Sequence, residues 1–262
     1  MNSIIFHSIL LTYLFATLGF WLFVGSRQRW LFRGAQGLLG CGFILQTGLL
    51  GYRLLSHSWR VWGDVYASMG LLAWAIVVVY AVAWWLYRME ALGAFIMPLA
   101  FLATAASGGE VTTASLVPQA FQQLWLMMHI FLATLGFAAL ALTFCTGAMY
   151  LIQDRQLKSR NPGALYHRLP SLNLLDELNG RALLLGFPLL TQGLITGSIW
   201  AKVVRGSYWY WSLKSLPLLA AWTLYAVLLG GRYTLGWQGK KAAFAVIVGF
   251  LVVLASYFVH TL

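Results

Sequence analysis

The sequence predicts an all-α, polytopic membrane helix bundle of about eight transmembrane helices, forming one integral membrane domain over residues 1–262. Three observations carry this. Of the 262 residues, 61% are hydrophobic and only 9% charged, with 13 Trp among them, which leaves too little polar surface for a water-soluble domain. The apolar residues gather into runs near the ~20 residues that a helix needs to cross about 30 Å of hydrocarbon while closing its own backbone hydrogen bonds. The basic residues lie in the short segments between those runs, so the net charge of +11 signals topology and contact with anionic lipid rather than nucleic-acid binding.

The first run, Ile4 to Val24, has no basic segment before it and no small-residue cleavage site, so it reads as a retained helix rather than a signal peptide. Ala35 to Leu54 and Val65 to Leu86 follow. Leu92 to Ala106 is shorter and interrupted by Pro98, and Leu216 to Gly230 is short and opened by Pro217, a residue that removes one helical N–H and is tolerated best near a helix start. Leu124 to Ile152, Ala182 to Val203 and Ala242 to Thr261 complete the eight. The stretch from Gln153 to Arg181 is the largest connection. Within it "PSLNLLDEL" has Ser171 in a cap position and apolar residues at 172, 174, 175 and 178, which predicts a short amphipathic helix lying along the membrane surface with Asp176 and Glu177 facing water. No repeat or linker divides the chain.

Orientation follows from charge. Connections after the odd-numbered runs hold twelve Lys and Arg, and those on the other side hold five, namely Arg53, Arg60, Lys202, Arg205 and Lys214. Positive charge favours the inner side, which puts both termini and the segment "RGSYWYWSLKS" (205–215) outside. On that side fall His7, His57, His129 and His260, with His167 inside. Cys41 and Cys145 lie within runs and lack CxxC spacing, so they read as small buried residues. No Walker loop, GxGxxG, HExxH or Ser/His/Asp set is present, and ionisable groups within the runs are too scarce for a proton relay.

Imidazoles on the same side as a row of aromatic rings suit a flat aromatic macrocycle, which takes axial ligation through the histidines and packing against the rings. An interfacial aromatic belt with hydrogen-bonded histidines accounts for the same residues. Composition leaves both readings open.

The segment "GSYWYWSLKS" resembles the tryptophan-rich signature of the cytochrome c assembly family, the CcsA and HemX-like membrane proteins, approximately G-x-x-W-x-W-D-x-K-E. Gly206, Trp209, Trp211 and Lys214 match it. The similarity is dense from residue 124 onward, through "MMHIFLATLGF" to "GRYTLGWQGKK". It implies an outer surface that handles haem b and presents it to apocytochrome c or other subunits of a membrane complex, in a bacterial inner membrane and without catalytic chemistry of its own. His129 matches the first flanking haem ligand. Tyr208, Trp209 and Trp211 would form a platform for the macrocycle, with Arg205, Lys214 and Lys202 near its propionates. The departures are Ser212 and Ser215 at the acidic positions, Leu213 after the first of them, Gln46 where a histidine is common in the second span, and Gly230 where another stands in the seventh. The second flanking histidine should follow the eighth span. His260 lies within that span, so it is an improvised second ligand, as His7 or His57 would be; a five-coordinate iron is the remaining option. These losses also admit an accessory subunit with a degraded site, or a HemX-like regulator of haem biosynthesis.

Overall fold

The computed structural model describes residues 2–55, 65–108, 120–159, 163, 166–208 and 215–261, the last of these only as backbone beyond residue 255. Their regular structure is eight helices: α1 Asn2–Ser26, α2 Arg29–Leu55, α3 Val65–Tyr87, α4 Leu92–Ala106, α5 Ala120–Lys158, α6 Leu172–Arg205, α7 Ser215–Thr234 and α8 Lys240–Thr261. Each apolar run of the sequence is one of these helices. Ser3–Ser26, Tyr66–Tyr87, Leu124–Lys158 and Leu172–Val204 are long and apolar enough to cross a membrane, and Leu92–Ala106 is apolar but shorter. Large apolar side chains on their outer faces, Phe15, Leu102, Leu185 and Phe244 among them, are exposed, as a hydrocarbon solvent permits.

The chain divides into two compact units, Met1–Val117 and Pro118–Leu262. In the first, α1 and α2 form a hairpin, and α3 and α4 a second one. Their core is built on aromatic side chains. The Phe20 ring of α1 meets Phe32 of α2 and Tyr80 of α3, with centroids 5.9 and 5.8 Å apart, and Trp21 Nε1 donates to Ala94 O of α4 at 2.7 Å. One buried polar bridge joins three helices. The Tyr13 hydroxyl donates to Gln46 Oε1 at 2.5 Å, and Gln46 Nε2 donates to Gly70 O at 2.8 Å.

In the second unit α5 packs against both α6 and α8, and α7 bridges the same two. Phe144 stacks on Phe250 with centroids 4.9 Å apart, and Trp222 Nε1 of α7 donates to Thr191 Oγ1 of α6 at 2.9 Å. The ends of α6 and α7 are tied by an ion pair. Arg232 Nη2 lies 2.7 Å from Asp176 Oδ2, and the Gly239 amide donates to Asp176 Oδ1 at 2.9 Å.

That pair corrects the expected surface helix. Ser171 caps the helix as anticipated, its Oγ accepting from Leu174 N, but the segment from Leu172 runs unbroken into α6 and is no separate interfacial element. Leu175, Leu178 and Asn179 are buried. Asp176 turns inward to Arg232 instead of facing water, while Glu177 stays outside and pairs with Arg181 at 2.6 Å. The boundary expected between Arg181 and Ala182 does not form, and the helix runs through Gly180 because packing outweighs the ~1 kcal/mol that glycine costs a helix. A Cβ at Gly180 would stand 2.6 Å from the Arg232 guanidinium, so glycine is what lets the arginine reach across.

Candidate functional site

The second unit builds its candidate site on the antiparallel pair α5 and α6. Small residues set the approach of these helices. A Cβ on Gly136 would lie 2.8 Å from Leu190 N, one on Gly193 would lie 3.1 Å from Ala133 Cα, and one on Gly197 would lie 2.7 Å from His129 Cε1 and Nδ1. The stripe 136, 133, 129 therefore runs down α5 against 190, 193, 197 on α6, the close small-residue packing available to membrane helices. Further along the same seam the buried Asn179 donates through Nδ2 to Thr143 O at 2.8 Å and Thr146 Oγ1 at 3.1 Å.

Into this seam the sequence places one imidazole. His129 Nδ1 stands 2.7 Å from Gly193 O. A carbonyl only accepts, so Nδ1 carries the proton and, in the neutral ring, the lone pair is on Nε2. A histidine held through Nδ1–H by a backbone carbonyl, with Nε2 as its basic nitrogen, is the arrangement that orients imidazole for binding a metal. Gly197 leaves room for the ring. The helix starts at Ala120, so His129 lies in its third turn, half-buried.

The far end of α6 supplies charge and an aromatic face. Gly206 ends the helix in the left-handed conformation, φ +81°, and its amide closes on Lys202 O at 2.9 Å. Lys202 Nζ donates to Gly206 O at 2.9 Å and lies 5.3 Å from the centroid of the exposed Tyr208 ring, a cation–π contact at the negative end of the helix dipole. Lys202 is five residues past Gly197, about 7.5 Å along the axis. Thus a fixed imidazole, a cation and the first ring of the aromatic segment all project from one helical hairpin and its cap.

Of the other residues expected at the site, Trp209, Trp211 and Lys214, with Ser212, lie outside the described residues, as does His57. Arg205 ends α6 and His260 lies in the last turns of α8, both described by their backbone alone. His7 is exposed on α1, where Nδ1 bonds Ser3 O at 2.6 Å, and His167 packs edge-on to Tyr166 with centroids 5.0 Å apart. Gly193 and Gly197 were missed in the sequence, although "GLITG" carries the G-x3-G signal of close helix approach.

Haem fits part of this framework. The His129 imidazole has the tautomer and support that axial ligation needs. Gln46 does not fit as a ligand: it is buried, its carbonyl oxygen is engaged by Tyr13 and its amide nitrogen by Gly70 O, and an amide is a poor substitute for imidazole on iron. Gly230 offers no side chain and faces open space. Among the described residues no three or more His, Cys, Asp and Glu side chains cluster to hold a metal by themselves.

Residues 62–262 match the family described as "Cytochrome C assembly protein". The chain is 31% identical to a "Cytochrome c biogenesis protein CcsA" of Microcystis aeruginosa (strain NIES-843 / IAM M-2473), covering 80% of this chain and 79% of that one. It is 29% identical to the protein of the same name in Synechocystis sp. (strain ATCC 27184 / PCC 6803 / Kazusa) over 98% of this chain and 93% of the relative. With that of Chlamydomonas reinhardtii it shares 34% identity over 80% of this chain and 62% of the relative. No solved structure matches the chain.

Proposed function

The chain belongs to the cytochrome c assembly family, and from that premise we propose that it handles haem b at the outer face of a membrane for the assembly of c-type cytochromes. The relatives that share its length are named for cytochrome c biogenesis. The observation that carries the reading is the His129 imidazole, fixed by Gly193 O at 2.7 Å in a unit whose helix cap presents Lys202 and Tyr208.

Haem is here cargo: an iron that accepts an imidazole, in an aromatic macrocycle with anionic propionates. His129 offers Nε2 from a ring that cannot rotate without breaking its Nδ1 bond. Lys202, with Arg205 and Lys214, would supply positive charge for the carboxylates, and Tyr208, Trp209 and Trp211 are the aromatic residues proposed to pack against the macrocycle. His260 is the proposed second ligand. In this reading the unit binds, orients and releases, and apocytochrome c or another subunit of a membrane complex receives. The proposed topology has all eight helices crossing as one domain, with both termini and the 205–215 segment outside, in the inner membrane of a bacterium.

Oxidised and reduced absorption spectra of the purified protein, with pyridine haemochrome quantification, test the reading. A haem b chromophore near one per chain is expected. A wild type that carries none, from cells with ample haem, would instead support a second reading, an accessory subunit of a membrane complex. The closed hydrogen bonding of Gln46 at a position where a ligand is common favours that alternative.

A further inference from the structure

The first unit gathers arginines at one end. Arg27 follows α1, Arg29 and Arg33 open α2, and Arg88 follows α3; all four are exposed. Aromatic contacts bring these two turns together. Phe23 and Phe32 lie 5.1 Å apart, Phe32 and Trp84 6.3 Å apart, and the Arg88 guanidinium lies 5.0 Å over Trp84. Glu90 is the one carboxylate in these turns. Trp21, Trp30 and Trp85 stand exposed around them, each by more than half of its surface.

The backbone adds a second observation. Arg27 and Arg88 both hold positive φ, +59° and +53°, where the backbone amide of each closes its helix by donating a 2.8 Å hydrogen bond to the carbonyl four residues back, Phe23 O and Trp84 O. That capping position favours glycine, and a branched or long residue there is strained. The chain uses arginine twice where glycine folds more easily, and a local rule broken in parallel at neighbouring turns points to function.

We infer that this end of the first unit binds the headgroup of an anionic phospholipid. The turns are short, Arg27–Gln28 and Arg88–Ala91, so the guanidinium groups lie directly beyond apolar spans, at headgroup depth. Guanidinium groups grip phosphate by paired hydrogen bonds. Indole rings settle at the same interfacial depth, which favours lipid over an acidic protein segment approaching from water.

The test uses the full-length protein in detergent, titrated with phosphatidylglycerol or phosphatidylcholine and read by native mass spectrometry. Retention of phosphatidylglycerol at least tenfold above phosphatidylcholine is expected. Each arginine near an anionic lipid contributes roughly a fivefold factor in affinity, so Arg27→Gly with Arg88→Gly should weaken phosphatidylglycerol retention about 25-fold. The same double variant relieves both positive-φ strains, so its melting temperature without lipid should hold or rise, which separates lost binding from lost folding. Arg27→Lys with Arg88→Lys keeps the charge but loses the paired hydrogen bonds, so its retention should fall between wild type and the glycine variant, and Glu90→Gln should tighten binding. Equal retention of the two lipids, or undiminished phosphatidylglycerol binding in the glycine variant, would overturn the inference. Displacement of phosphatidylglycerol by millimolar inorganic phosphate would overturn it in favour of a free-anion site.

Discussion

Replacing Gly197 with alanine tests the geometry that fixes His129. The new Cβ would stand 2.7 Å from both Cε1 and Nδ1 of the ring, whereas nonbonded carbon contacts settle near 3.5–4.0 Å. The ring must therefore retreat by roughly 1 Å, which stretches the 2.7 Å bond to Gly193 O beyond the ~3.2 Å limit of an effective hydrogen bond. Overpacking costs about 1–3 kcal/mol and the lost bond about 1 kcal/mol, while alanine returns about 1 kcal/mol of helix propensity. The sum is a destabilisation of about 1–3 kcal/mol, a fall of roughly 2–12 °C in melting temperature for a chain of this size. Gly230→Ala is the control, since a Cβ there meets open space and only the propensity gain remains. Thermal unfolding of the three proteins in one detergent decides the matter. Gly197→Ala melting at or above wild type, in step with Gly230→Ala, would refute the cradle.

Asp176→Ala should destabilise the second unit by about 3 kcal/mol, because it leaves the Arg232 guanidinium, only 11% exposed, without a carboxylate and with only the residue 176 carbonyl to accept from it. Asp176→Leu with Arg232→Met should recover most of that loss in the same denaturation assay. Tyr13→Phe should cost the first unit about 1–3 kcal/mol by stripping a donor from buried Gln46 Oε1, and an unchanged melting temperature would contradict the bridge. Cysteines placed at Ser207 and Ser159 should react with an impermeant reagent from opposite faces of the membrane; labelling from one face would remove the proposed topology.

The helices were legible because burial in hydrocarbon demands long apolar runs, and those runs mark their own positions. Their ends were less so. The boundaries expected after Ile152 and before Ala182 did not form, since α5 runs on to Lys158 and α6 starts at Leu172, a packed pair whose stability comes from contacts between helices. Ser171 was readable as a cap because capping is local. The Asp176–Arg232 pair joins positions 56 residues apart, and no local spacing announces it. The candidate site divides in the same way. His129 was found by resemblance, and the Gly193 carbonyl that fixes its tautomer emerges only when α5 and α6 are seen against each other.

Chemical rescue tests whether the imidazole of His129 ligates haem. His129→Gly removes the ring and leaves a space of imidazole size beside Gly197. This variant should lose most of its haem or show a changed spectrum, added imidazole should restore the wild-type spectrum, and His167→Ala should behave as wild type throughout. A His129→Gly protein that keeps its full complement of haem, with an unaltered spectrum and no response to imidazole, would contradict it.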